Sequence, residues 1–457
     1  MTSLSEQYFE DGLFVDDKPN QPYRQWGWFE LFYFFVMLVY AAQMTIDTGR
    51  MVSTLSGNPI PFFIPIVLTI ILLFRNPISF ASSRLWIILG ITAIWSIASL
   101  IKYDAFSKGE LSFHFFLYYA IIIAYIHVKV YGTDLMILYE KMMVMICKLD
   151  LVLWLFCIFV PTIANPFFEM FPATGFGHNF LYIFNQTDIF SSNYLFPRNS
   201  GFSWEPGRFA IMICFALLFN FQQRGIDFNY NRNSNLYWFI LALISTESTT
   251  GYSIALVIFG IHYIQRLTIS TLFLGLFLFL PSIYWIFQLD FMLGKITTQY
   301  NSLDFIDEEI SRIGENSNRV VALDRMPSFI IEWGNFLEDP LLGYSRNLKH
   351  AAIYKSLPEN VRFTGGLMQM FSQYGVFMGL FYYTILWRSS RLLGQLFDTN
   401  SIALFLCFIL STISYPLFMI PLFFAFWLFG EFYEDDEVVE EDDEELLNEL
   451  EYEYFKI

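Results

Sequence analysis

Charged residues are scarce in this 457-residue chain: 15% are Asp, Glu, Lys or Arg, against 55% hydrophobic and 20% aromatic. That balance excludes an ordinary soluble domain and points to an integral membrane protein. A basic patch suited to nucleic acid is missing as well, so nucleic acid is not an expected partner. The net charge of −17 misleads, because residues 431–457 hold 14 acidic side chains and one Lys and leave only −4 for the rest. Cysteine is rare. Cys147, Cys157, Cys214 and Cys407 all lie in apolar runs without metal-ligand spacing, which reads as packing and not as a disulfide framework. No charged-then-apolar secretory signal precedes the first apolar run, so the first membrane helix is expected to direct insertion itself.

What is present is a series of apolar runs long enough, or nearly so, to cross a bilayer. They begin near Trp26, Ile60, Leu85, Phe113, Met142, Pro206, Leu236, Tyr252, Leu267, Gly366, Ile402 and Leu417. This predicts an all-α polytopic membrane protein of about twelve spans, with the seventh and the last two short. Lys and Arg of the short connections give the orientation. Arg75, Arg84, Lys129, Lys141, Arg224, Arg232, Arg266, Arg388 and Arg391 all fall on one side when both termini are cytoplasmic; Lys102 and Lys108 are the exceptions. The expected organisation is a cytoplasmic segment 1–25, membrane helices one to nine over 26–288 with an external loop at 161–203, an external cap at 289–363, membrane helices ten to twelve over 364–430, and an acidic cytoplasmic tail at 431–457. Connections as long as the loop and the cap are usually functional or disordered. Lys148 and Asp150 lie inside the fifth span, where a mutual ion pair is the expected structural role, and His127 stands near the end of the fourth.

The most informative stretch is Arg198 to Ala210, Arg-Asn-Ser-Gly-Phe-Ser-Trp-Glu-Pro-Gly-Arg-Phe-Ala. Glu205 and Pro206 mark a helix start, and Pro fits the first turn because its missing N–H costs nothing there. A helix N-terminus carries about half a positive charge, yet Arg198 precedes this one and Arg208 sits in its first turn, which calls for an anion. Taken alone, the turn is equally well read as Arg208 snorkelling to headgroups and Glu205 capping the helix and pairing with it. A second outward helix start follows the hydroxyl-rich turn Ser248-Thr249-Thr250-Gly251, whose small side chains suit capping or leave N–H groups free for a ligand.

The pattern Arg-x-x-Gly-Phe-x-Trp-Glu-Pro-Gly-x-Phe-Ala ahead of a membrane helix resembles the polytopic O-antigen polymerase and ligase group of bacterial surface-polysaccharide proteins. The likeness extends loosely over Arg198 to Gly379. Ser248-Thr249-Thr250-Gly251-Tyr252 is similar to that family's hydroxyl-rich turn. Arg319 with Asp339-Pro340-Leu341-Leu342-Gly343 resembles its external-loop arginine and Pro-Leu-Leu-Gly segment, and Gly366-Leu367 through Tyr374-Gly375 its returning helix. The resemblance implies a GT-C-like glycosyltransferase of the bacterial inner membrane that moves a glycan from a polyprenyl diphosphate to an acceptor hydroxyl on the outer face. Its partners would be the lipid-linked donor, the glycan acceptor and membrane lipid, with a chain-length regulator as a candidate protein partner. Arg198 and Arg319 would then hold the diphosphate, with Arg208, Arg325, Ser248, Thr249 and Thr250 as further binding candidates. Planar guanidinium forks suit that task, and with them no metal or cofactor is required.

For the base that takes the acceptor's proton, Glu205 and His350 are candidates, with His178 a poorer third. The ligases' histidine near the returning helix has no counterpart at Thr364-Gly365-Gly366. A repeat-unit polymerase is therefore the expected activity. A ligase onto a lipid A core stays open as an alternative, and a polysaccharide or lipid-linked-sugar transporter is the alternative from another class.

Overall fold

The computed structural model describes residues 26–42, 60–104, 108–171, 173–174, 177–187, 197–225, 227–264, 321–322, 325–345, 361–362 and 366–433. Among these the chain is mostly helical. In order run α1 (Trp28–Ala42), α2 (Ile60–Arg75), α3 (Ser83–Tyr103), α4 (Lys108–Tyr131), α5 (Asp134–Phe159) and α6 (Pro161–Glu169). A small antiparallel sheet follows, β1 (Ala173–Thr174), β2 (Gly177–Phe180) and β3 (Phe184–Thr187). Then come α7 (Pro206–Arg224), α8 (Ser234–Ser245) and α9 (Thr249–Ile264). Strand β4 (Val321–Ala322) pairs in parallel with β5 (Val361–Arg362), and α10 (Arg325–Glu338) lies between them in sequence. Last are α11 (Gly366–Leu396), α12 (Ser401–Ser414) and α13 (Pro421–Trp427). Eleven of the twelve expected run starts fall in or beside a helix, and the ninth, near Leu267, lies outside the described residues.

Three helices, Ser83–Tyr103, His114–Tyr131 and Asp134–Phe159, are long and apolar enough to cross a membrane. On α3 the apolar face is the outer one: Trp86, Ile87, Ile94, Ile97 and Ile101 are exposed, while Thr92, Ser96 and Ser99 are buried. This reverses the pattern of a helix in water and is what an apolar solvent selects, because polar groups must then find partners inside. They do so here. Thr92 and Tyr382 hydroxyls meet at 3.0 Å, Ser96 meets His114 at 3.1 Å, and Tyr33 joins Thr69 at 3.0 Å and His127 at 2.9 Å.

At the centre stands α7, buried on every face from Pro206 to Gln222 and packed by α5, α8, α9 and α12. One end of the bundle is tied by ion pairs between helix termini. Arg75 at the end of α2 meets Glu30 at the start of α1 (2.8 Å), Arg224 at the end of α7 meets Glu140 in α5 (2.6 Å), and Arg388 meets Glu431 just past α13 (2.8 Å). Four of the cations that the charge pattern assigned to one side, these three and Arg84, therefore meet buried carboxylates, which Arg84 reaches at Glu431. Lys102, one of the two exceptions, sits at the opposite terminus of α3 and pairs with Asp339. An acidic partner explains why a cation stands there.

The expected Lys148–Asp150 pair does not form. Two residues along a helix turn through about 200°, so the side chains leave on opposite faces. Lys148 is exposed over the Trp238 ring (5.6 Å), and Asp150 is buried on the inner face. The expected loop at 161–203 is also partly regular. α6 and the sheet share an aromatic cluster of Phe168, Phe180 and Phe184, and Gln186 donates to Asn165 across them (2.6 Å).

Candidate functional site

The end of the bundle opposite the ion pairs is where α7 and α9 begin. The approach to α7, Asn199 to Ser203, is buried and held from four sides. Trp154 of α5 donates to the Pro197 carbonyl (2.6 Å), Asn199 donates to Ser245 of α8 (3.0 Å), Asn185 of β3 donates its N–H to the Gly201 carbonyl (2.6 Å), and Ser203 donates to Ala42 of α1 (2.9 Å). Gly201 takes a left-handed conformation (φ 53°), and a methyl added there would lie 2.5 Å from the Phe209 ring and 2.6 Å from Asp150 Oδ2. Asp150 thus lies directly beneath the turn that the sequence marked as most informative.

The sequence-predicted residues divide into those brought together and those not described. Arg198 Nε donates to the Thr246 carbonyl (3.0 Å), and Arg325 donates to the Thr250 hydroxyl. Arg198 is therefore tied to the short connection between α8 and α9, and Arg325 to the first turn of α9 that follows it. Thr250 also meets Ser414 at the end of α12 (3.2 Å), and Ser248 caps α9 by accepting the Gly251 N–H (3.3 Å). Thr249 is the first residue of α9 and is half-buried. Arg319 and His350 lie outside the described residues. His178 faces its own hairpin, with Nδ1 3.0 Å from the Phe171 carbonyl.

The centre of the arrangement is Gly207. A methyl group at its α-carbon would find Tyr415 Oη at 3.1 Å, Glu205 Oε1 at 3.4 Å and Arg325 Nη2 at 3.8 Å, so a phenol, a carboxylate and a guanidinium converge on one bare stretch of backbone. Glu205 occupies the capping position of α7, yet its side chain does not cap the helix. Arg208 is only 2% exposed, with its guanidinium over the Tyr415 ring (5.6 Å). Burial excludes the snorkelling role, because a snorkelling side chain keeps its charged end in the headgroup layer. Each arginine also stands in the first turn of a helix, Arg208 in α7 and Arg325 in α10, where a cation is disfavoured by the backbone dipole. Two such cations beside the Glu205 carboxylate make a locality suited to an anionic ligand.

Sequence reasoning missed Tyr415 and Ser414. The only local sign was the Ser-Tyr-Pro break at 414–416 between two short apolar runs. Gly366 seats α11 against this break, with no room for a side chain beside the Tyr415 and Pro416 backbone.

The segment Asp339 to Gly343 serves as a structural anchor between α10 and α11. The Pro340 carbonyl accepts from Val376 N–H (2.7 Å), Tyr344 N–H donates to the Ser372 carbonyl (2.8 Å), and Trp95 of α3 donates to the Leu342 carbonyl (3.1 Å). Tyr103 reaches both Asp339 and the Gly343 carbonyl. Beside it Glu332 of α10 is fully buried, accepting from the hydroxyls of Tyr344 (2.9 Å) and Ser372. Burial raises its pKa to about 7 against the pull of those two hydrogen bonds.

No protein-family model matches this chain, and no curated protein matches it.

Proposed function

We propose that this protein is a membrane glycosyltransferase that moves a glycan from a polyprenyl diphosphate to a hydroxyl of a second lipid-linked unit, as a repeat-unit polymerase of the O-antigen or exopolysaccharide kind. The reading places it in the bacterial inner membrane with about twelve spans in a GT-C-like arrangement. Both termini are cytoplasmic, and residues 289–363 form an external cap. The observation that carries it is the convergence on Gly207 of Arg325, Glu205 and Tyr415, with Arg208 buried alongside.

As the bond between the anomeric carbon and the phosphate oxygen breaks, its electron pair leaves with that oxygen and charge develops on the diphosphate. Arg325 and Arg208 stabilise that charge where it forms, and arginine forks do so with paired donors. The acceptor oxygen forms the new bond to carbon and gives up its proton to Glu205, the carboxylate at the same spot. Arg198, bonded to the Thr246 carbonyl, positions the connection that carries Thr250 and thereby Arg325. Arg319, a first choice in the sequence for the diphosphate, and His350, a candidate base, stay open as further members of the site.

Replacing Glu205 by Gln tests the assignment of the base. Loss of a general base costs on the order of 100- to 10,000-fold in transfer rate, and donor binding should persist. Transfer by Glu205→Gln at the wild-type rate would remove Glu205 from the chemistry.

A further inference from the structure

The Tyr415 hydroxyl is the one group at this site for which neither the sequence pattern nor the proposed chemistry has a use. Tyr415 is 8% exposed and its Oη is buried with no hydrogen-bond partner among the described residues. A buried hydroxyl normally finds a partner, and one that does not is costly unless something else arrives to receive it. The side chain is not loosely held. Its N–H is bonded to the Ser411 carbonyl (3.2 Å), its backbone is pressed by Gly366, its ring lies under the Arg208 guanidinium, and its neighbour Ser414 contacts Thr250. A fixed donor is thus aimed at the start of α7. Glu205 does not cap that helix with its side chain, and Pro206 has no N–H to offer. No side chain at residue 207 stands between the phenol and the helix backbone: a methyl there would lie 3.1 Å from the phenol oxygen.

We infer that Tyr415 binds the ligand directly, donating a hydrogen bond from its phenol to a phosphate oxygen seated over Gly207 between Arg208 and Arg325. The phenol keeps its proton throughout, so its contribution is binding and orientation of the leaving group. The inference rests on the diphosphate reading above and adds to it a donor from the α12–α13 connection.

Because the hydroxyl has no partner among the described residues, removing it has opposite consequences for the empty and the occupied site. In purified full-length Tyr415→Phe the ligand-free melting temperature should equal or exceed that of wild type, since an unsatisfied buried group disappears. Stabilisation by inorganic pyrophosphate, and by undecaprenyl diphosphate in detergent, should require about tenfold more ligand, the cost of one charge-assisted hydrogen bond at the low end of its range. A Tyr415→Phe protein that melts lower than wild type, or that binds both probes as wild type does, overturns the inference. In the second case Arg325→Lys separates two failures: if it loses ligand stabilisation, the diphosphate site stands without Tyr415. If wild type itself gains no stability from either probe, the diphosphate reading falls and this inference with it.

Discussion

Arg325 is where a fork and a point charge give different outcomes. Lys at this position keeps the charge but loses the planar pair of donors, one of which reaches Thr250. A charge-assisted hydrogen bond is worth about 1.5–3 kcal/mol, so Arg325→Lys should slow transfer roughly ten- to a hundredfold at unchanged protein level. The check is the rate at which single lipid-linked units are consumed. Gly207→Ala belongs to the same scale: its methyl would occupy the space bounded by Tyr415, Glu205 and Arg325, so donor affinity should fall with little change in melting temperature. Of these residues Glu205 and Arg208 were legible in the sequence from the helix start they mark, the hydroxyls at 248–250 from the turn before the next helix, and Arg325 only through the family resemblance. Tyr415 was not. It is an ordinary aromatic in an aromatic-rich chain, and only the packing of α11 on the 414–416 break brings it to Gly207.

Among the elements, the junction of α10 with α11 decides whether Arg325 stays in place. α11 is broken at Gly375 (φ 78°), and the Leu341 carbonyl rests where a side chain would begin. Gly375→Ala combines a disfavoured backbone conformation with a backbone clash, and should lower stability by about 3 kcal/mol or more and reduce the yield of folded protein. Glu332 makes the same junction sensitive to pH. Its folded pKa of about 7 lies above the ordinary 4.5, so the folded state holds the proton more tightly than the unfolded one. Its contribution is complete below about pH 4.5 and is lost as pH rises through about 7, by an amount on the order of 3 kcal/mol at most. Melting temperatures measured from pH 5 to pH 8 should therefore decline in wild type, and Glu332→Gln should flatten that decline because its amide stays neutral throughout. The positions of the helices were legible from the apolar runs, and the α10–α11 anchor only as a motif. The burial of Glu332 was not, since nothing in the sequence separates it from the exposed Glu338 on the same 14-residue helix.

For the whole molecule, four of the cations that the charge pattern assigned to one side share a feature. Arg75, Arg84, Arg224 and Arg388 gather at one end with Glu30, Glu140 and Glu431. Lys102 departs from the rule because it has a partner, Asp339, that lies far away in sequence. The proposed orientation puts Glu338 outside and Asn231, in the exposed turn before α8, inside. In a cysteine-free background, Glu338→Cys should react with a membrane-impermeant thiol reagent in spheroplasts and Asn231→Cys only after permeabilisation; the reverse labelling would invert the topology.

The central claim is that one site, built from the starts of α7, α9 and α10 and the end of α12, transfers glycans from a lipid diphosphate without a metal ion. Purified full-length protein in nanodiscs, supplied with lipid-linked repeat units extracted from cells that lack it, is the direct test. In excess chelator, wild type should convert single units to a ladder of longer chains, while Arg325→Lys and Glu205→Gln should leave single units largely unconsumed. No ladder from wild type in chelator, whether or not restored divalent ions bring one back, or equal ladders from all three proteins, would contradict it.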